Sequence, residues 1–231
     1  TFTFRGEVAM DGVEPLVLRN QVVSGASPMP PPMQLASWWA ERFNRLFQNP
    51  VLPPNVKSVS AVIEMTPERR ISTIESAWLD NSDVAPGGEI TGKVFLRPWR
   101  GERFVKDFRI PIPAGLPRGE HRLLVSDGAT LNRPQMLASM ANRSLDLRQL
   151  VSLMNQERDS GQIYLSLVES RPTVFADDQE LPAVPPSVLN VMQTGRSARP
   201  FTSIAETARP QLVLPAEGVV TGSTAVRFRV K

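Results

Sequence analysis

Hydrophobic and polar positions alternate from the second residue onward. Phe2, Phe4, Gly6 and Val8 fall on one face, and Thr3, Arg5 and Glu7 on the other. That period of two predicts a half-buried strand over 2–10. Asp11-Gly12 is a turn signal, and Leu16 to Val23 reads as the hairpin partner. The run Pro28-Met29-Pro30-Pro31-Pro32 then interrupts regular structure. Over 33–48 the period lengthens, with Leu35, Trp39, Phe43, Leu46 and Phe47 on a single helical stripe. Pro50, Pro53 and Pro54 terminate that helix, and 55–66 returns to strand, Val59, Ala61 and Ile63 alternating with Ser58, Ser60 and Val62.

Residues 70–127 predict four short strands separated by turn chemistry. Ile71–Leu79 is rich in β-formers, and Asn81-Ser82-Asp83 and Pro86-Gly87-Gly88 are turns. A strand through Ile90 to Leu96 leads to the loop Pro98-Trp99-Arg100-Gly101-Glu102, followed by strands at Phe104–Pro113 and His121–Val125. Asp127-Gly128 closes the set. Short strands punctuated by Pro and Gly predict an antiparallel sandwich, not βαβ units.

The last third is more mixed. Arg133-Pro134 begins a polar connector. Ser144 or Asp146 is placed to cap a helix running to Gln156, with Leu147, Leu150, Val151 and Met154 as its stripe. Ile163, Leu165 and Leu167 alternate as a strand, and Ser187 is placed to cap a single helical turn from Val188 to Met192. Residues 194–210 are small and polar and read as a structureless loop. Leu212–Leu214 and a strand carrying Val226, Phe228 and Val230 on one face end the chain.

The fold predicted is mainly β with a minor α part. Residues 69–130 form an Ig-like antiparallel sandwich. A second β-rich layer, 1–68, carries its amphipathic helix and is open to completion by C-terminal strands. Residues 131–231 supply a helix–strand segment, a Pro-rich connector and the final strands. Two or three helices decorate the second layer.

Composition changes this picture in two respects. The 22 prolines in 231 residues are about twice the usual ~5%, and they cluster at 28–32, 50–54 and 182–186, between elements. The chain has one His and no Cys, which excludes thiol catalysis, zinc fingers, iron–sulfur sites and disulfide scaffolds. The net charge of +3, from 26 basic and 23 acidic residues, comes without a like-charge run, so no nucleic-acid partner is expected. No apolar stretch is long enough for a membrane span. The chain opens directly inside an alternating pattern at Thr1-Phe2-Thr3-Phe4, and reads as a piece of a longer protein.

Several short segments together resemble a known arrangement: Val84-Ala85-Pro86-Gly87-Gly88-Glu89-Ile90, Arg97-Pro98-Trp99-Arg100-Gly101, Ile110-Pro111-Ile112-Pro113, and Gly119 to Gly128. Leu150 to Asn155, Leu181 to Leu189 and Val220-Thr221-Gly222 follow downstream. This order resembles the region after the peptidase domain in large bacterial envelope proteins that carry a SpoIVB-type serine peptidase. The resemblance implies an extracytoplasmic setting (periplasmic, cell-envelope or secreted) and Ig-like β structure. It implies no catalytic residue here, because that family's His and Ser lie in the upstream domain, whose motifs have no counterpart in this chain.

The chemistry legible in the residues is sparse. A Ser–His–Asp site requires His121, but Ser126 and Asp127 are neighbours on its own strand and do not assemble a triad with it. Lys57 and Lys93, the bases open to a Ser–Lys site, lie in predicted strands without a partner. Asp159-Ser160-Gly161 reads as a helix stop, and the acidic cluster Asp177, Asp178 and Glu180 lacks the spacing of a calcium loop. No cofactor or metal is expected. The candidate interaction surface is Arg97, Trp99, Arg100 and Arg103 at the hairpin tip, together with Trp38 on the helix. The function expected is a non-catalytic accessory or protein-interaction module of a larger envelope protein, its partners being other domains of the same polypeptide or an envelope protein. A Ser-based hydrolase and a carbohydrate-binding module using Trp99 are the alternatives.

Overall fold

The computed structural model describes the chain except for residues 26–27, 50, 142–145, 170–172, 177–178, 182–183, 197–200 and 205. The elements in order are β1 (Phe2–Met10), β2 (Leu16–Val22), α1 (Pro31–Phe47), β3 (Val56–Met65), β4 (Ile71–Leu79), β5 (Asp83–Val84), β6 (Glu89–Pro98), β7 (Phe104–Pro111) and β8 (Gly119–Ser126). Then come α2 (Gly128–Ala141), α3 (Leu147–Asn155), β9 (Gln162–Glu169), β10 (Thr173–Ala176), β11 (Gln179–Leu181) and α4 (Pro186–Val191) with a π-helical turn after it. β12 (Phe201–Ile204), β13 (Thr207–Pro215), β14 (Val219–Thr221) and β15 (Ser223–Val230) complete the chain. Strand outweighs helix at 47% to 23%, so the fold is mainly β with four helices.

Two compact units interleave along the sequence. One comprises 1–69, 132–159 and 170–207; the other comprises 70–131, 160–169 and 208–231. In the first, β1 is the centre of a three-stranded antiparallel sheet ordered β2-β1-β3. Phe4, Val8 and Met10 of β1 and Leu16 and Leu18 of β2 are buried with Leu35 and Leu46 of α1 and Leu147, Leu150, Val151 and Met154 of α3. Burying such side chains contributes roughly 1.5–3 kcal/mol each and holds both helices to the sheet. Pro31 and Pro32 begin α1, where a missing N–H costs nothing. Asp146 caps α3 in a reciprocal box with Gln149, its carboxylate accepting the Gln149 N–H at 2.8 Å. Glu157, just past α3, draws in Arg42 and, at 3.0 Å, Arg45 of α1. A second small sheet in this unit is ordered β11-β10-β12.

The other unit is a two-sheet sandwich. A five-stranded sheet ordered β13-β9-β8-β15-β5 and a four-stranded sheet ordered β14-β4-β6-β7 enclose a shared apolar core. Ile74, Ile90, Val94, Leu96, Phe108 and Ile110 from one sheet meet Leu123, Val125, Ile163, Leu165 and Phe228 from the other. The C-terminal strands therefore pair here, β15 with β8 and β14 with β4, and leave the N-terminal sheet without them. Two of the pairings, β14 with β4 and β15 with β5, are parallel, where an all-antiparallel sandwich was expected.

Four local expectations change. Asp127-Gly128 is not a closing turn, and 133 onward is not a connector: both belong to the start and body of α2, with Pro134 inside it. The stretch 194–210 is not structureless, since it holds the end of the π-helical turn, β12 and the start of β13. Pro185, not Ser187, precedes α4, and no side chain caps that helix. Ser144, the acidic pair Asp177-Asp178, and Pro182-Ala183 lie outside the described residues.

Candidate functional site

The hairpin tip singled out in the sequence sits at one end of an aromatic face. On the four-stranded sheet, alternation sends Val94 and Leu96 of β6 into the core and Lys93, Phe95 and Arg97 outward. Cross-strand pairing then sets Phe95 opposite Val105 on β7 and opposite Ser76 on β4, and sets Lys93 opposite Asp107 and Trp78. A β-bulge between Ile74 and Ser76 decides which β4 side chains join this face. Ile74 points into the core; without the extra residue, strict alternation turns Trp78 inward too. The bulge shifts the phase by one, burying Ala77 and leaving Trp78 67% exposed on the outer surface.

The aromatic rings and the charges are fixed to one another. Trp78 meets the Phe95 ring edge-on at 5.8 Å. The Arg103 guanidinium lies over the other part of that assembly, 4.1 Å from the Phe95 centroid. Arg103 also donates to Ser76 Oγ at 2.9 Å and pairs with Glu75 Oε2 at 3.1 Å, while Arg97 takes Glu75 Oε1. One carboxylate thus sets two arginines beside the rings. Lys93–Asp107 at 3.6 Å and Arg109–Glu89 at 3.2 Å continue the charged border. Val105 is 43% exposed, and Trp99 is 54% exposed in the loop, whose backbone is held to β4 by the Trp99 N–H donating to the Ile71 carbonyl at 3.0 Å. Arg100 is exposed at the same tip. A shallow groove of about 400 Å³ lies along the Asp107 end, lined by Asp80, Thr91, Gly92, Asp107, Phe108 and Arg109.

Arg97, Trp99, Arg100 and Arg103 are therefore collected at one end of this face, and Trp38 is not part of it. Trp38 belongs to the first unit, packed edge-on against Phe4 at 5.7 Å with the Arg42 guanidinium 4.1 Å from its ring. It is a packing residue. Trp78 and Glu75 were missed in the sequence, because only the bulge reveals which way β4 faces, and Phe95 and Val105 were missed because only the strand pairing brings them beside Ser76 and Trp78.

The residues weighed for catalysis are engaged elsewhere. His121 Nε2 lies 2.7 Å from the Pro117 carbonyl, and its ring stacks on Phe228 at 5.6 Å. Ser126 is fully buried, and the Asp127 carboxylate accepts the N–H groups of Thr130 and Gly222. Lys57 pairs with Asp11 at 2.5 Å. Ser160 and Gly161 spend their carbonyls on Val220 and Ala216 N–H. Among the described residues, no three His, Asp or Glu side chains gather as a metal site. Among the described residues, no helix is long and apolar enough to cross a membrane. No protein-family model, curated protein or solved structure matches the chain.

Proposed function

We propose that this chain is a non-catalytic interaction module that docks a protein partner on the outer face of the β4-β6-β7 sheet. The observation that carries this reading is the strip of Trp78, Phe95 and Val105, with Trp99 at its end, bordered by Arg97 and Arg103. Trp and Arg dominate the energetics of protein interfaces, because a large rigid ring and a planar guanidinium give contact area at little cost in conformational freedom. Here both are held before any partner arrives, since Glu75 and Phe95 fix Arg103.

The setting follows from the resemblance to the non-peptidase region of envelope proteins with a SpoIVB-type peptidase domain. On that reading the module is extracytoplasmic, and the partner is another domain of its own polypeptide or a second envelope protein. A second reading, glycan binding, draws on the same exposed Trp78 and Trp99 rings, which suit stacking on sugar faces. An array carrying envelope proteins and envelope polysaccharides, probed with the wild-type chain and with Trp78→Ala/Trp99→Ala, separates the two. Protein-specific binding lost in the variant supports docking. Glycan-specific binding supports the second reading. Turnover of a peptide substrate, or labelling of one serine by a fluorophosphonate probe, overturns both.

A further inference from the structure

We infer that β3 is a dimerisation edge, pairing antiparallel with β3 of a second copy about a two-fold axis at Ala61. This inference is independent of the aromatic face, since β3 belongs to the other unit. β3 is ten residues long, lies at the edge of its sheet, and every residue from Lys57 to Met65 is exposed. Its core-side stripe is apolar: Val59, Ala61, Ile63 and Met65 lie on the face that Phe4 and Val8 bury on β1, yet Val59, Ile63 and Met65 are 45%, 56% and 70% exposed.

Proteins guard long edges with charge, proline, bulges or brevity, because an open edge recruits strands. The other described edges here are guarded. β2 carries Arg19 and follows Pro15, and the Asn155 side chain occupies its Val17 N–H and the Pro15 carbonyl at 2.9 and 3.0 Å. β7 carries Lys106, Asp107, Arg109 and Pro111, and β13 carries Arg209 and Pro210. β5, β11, β12 and β14 have two, three, four and three residues. β3 holds neither Pro nor Gly; its two charges, Lys57 and Glu64, and the register shift opposite Ala9 and Met10 sit toward its ends, and Ser58 to Ile63 between them is an uncharged run in which Val59, Val62 and Ile63 are β-branched. Such a strand is covered in use or aggregates.

The sequence of β3 fits its own copy. A two-fold through Ala61 keeps each side chain on its own face and puts the smallest apolar residue opposite itself. Val59 then faces Ile63, Ser60 faces Val62, Ser58 faces Glu64 and Lys57 faces Met65. No like charges meet, and the Lys57 end of each strand lies beside the Glu64 end of the other. Parallel in-register pairing instead stacks Lys on Lys and Glu on Glu. The product is a continuous six-stranded sheet, β2-β1-β3-β3-β1-β2.

The test uses the full chain, which has no native Cys. Sedimentation velocity over roughly a hundredfold concentration range is expected to show a monomer–dimer equilibrium. Val59→Lys/Ile63→Lys is expected to return a folded monomer with unchanged far-UV dichroism, because both positions are solvent-exposed in the single chain. Ala61→Cys is expected to oxidise to a covalent dimer, since opposed strand residues sit about 4.5–5.5 Å apart at Cα, within disulfide range. Val17→Cys, on the opposite edge strand, is the control and is expected to stay reduced. A chain that remains monomeric throughout, even one that adds a foreign peptide strand at β3, overturns the inference. So do assemblies that grow past the dimer, or equal cross-linking of Val17→Cys and Ala61→Cys.

Discussion

Asp127 and Gly222 bond each other in both directions. The Asp127 N–H donates to the Gly222 carbonyl at 3.1 Å, and Asp127 Oδ2 accepts the Gly222 N–H at 2.8 Å. The other carboxylate oxygen accepts Thr130 N–H at 2.7 Å, capping the start of α2. One buried side chain thereby ties the end of β8 to the turn between β14 and β15, where Gly222 adopts φ +92°. Asp127→Ala removes two charge-assisted bonds and leaves two N–H groups unpaired, for a loss of about 2–4 kcal/mol in urea unfolding. Asp127→Asn keeps the cap but turns an amide N–H toward Gly222, and is expected to lose about half of that.

Gly92 carries a steric prediction. A Cβ there lies 2.2 Å from the Trp78 carbonyl oxygen and 2.7 Å from the Phe108 ring. The carbonyl is backbone in the central strand pair and has nowhere to move. Gly92→Ala is expected to cost about 3 kcal/mol or more by thermal or chemical denaturation, through overpacking. Gly115→Ala, where a Cβ meets nothing within 4 Å, is the matched control and is expected to change stability by less than about 0.5 kcal/mol.

The first unit has its own electrostatic test. Glu157 holds Arg42 and Arg45, all three side chains between 15% and 23% exposed. Glu157→Ala leaves two adjacent guanidiniums without that counter-charge. A loss of about 1–3 kcal/mol is expected, larger at low salt than at high, from urea unfolding at two ionic strengths.

The two tryptophan classes separate by substitution. Trp38→Ala removes the contact with Phe4 and the Arg42 stack, and is expected to cost about 2–4 kcal/mol while leaving partner binding intact. Trp78→Ala, at 67% exposure, is expected to change stability by less than about 1 kcal/mol and to abolish partner binding. Paired denaturation and binding measurements check both.

What the sequence made legible was the local chemistry. The α1 stripe of Leu35, Trp39, Phe43 and Leu46, closed by prolines, identifies a helix within two residues of its observed bounds. Ser144 or Asp146 was the cap expected for α3, and Asp146 fills it; the reciprocal bond from Gln149 came only with the structure. The β1–β2 hairpin follows from alternation and Asp11-Gly12, where Gly12 takes φ +72°. What stayed hidden was non-local or phase-dependent. α2 was concealed because Asp127-Gly128 serves equally as turn or cap, and Pro134 removes the bond to the Thr130 carbonyl that a breaker is expected to remove. Nothing in 208–231 says that its strands pair with 70–126 across more than ninety residues. Trp78 was hidden by a single inserted residue at Glu75, which reverses the face of the strand after it.

Docking on the aromatic face is the central proposal. Site-specific photo-cross-linking in the native cells tests this directly, with a photoreactive phenylalanine analogue at Val105 and, as control, at Val213, which is also exposed. The expected result is a discrete protein adduct, or an intramolecular cross-link to another domain, at Val105 alone, lost when Trp78→Ala is added. No adduct at Val105, or the same adducts at Val213, contradicts the account.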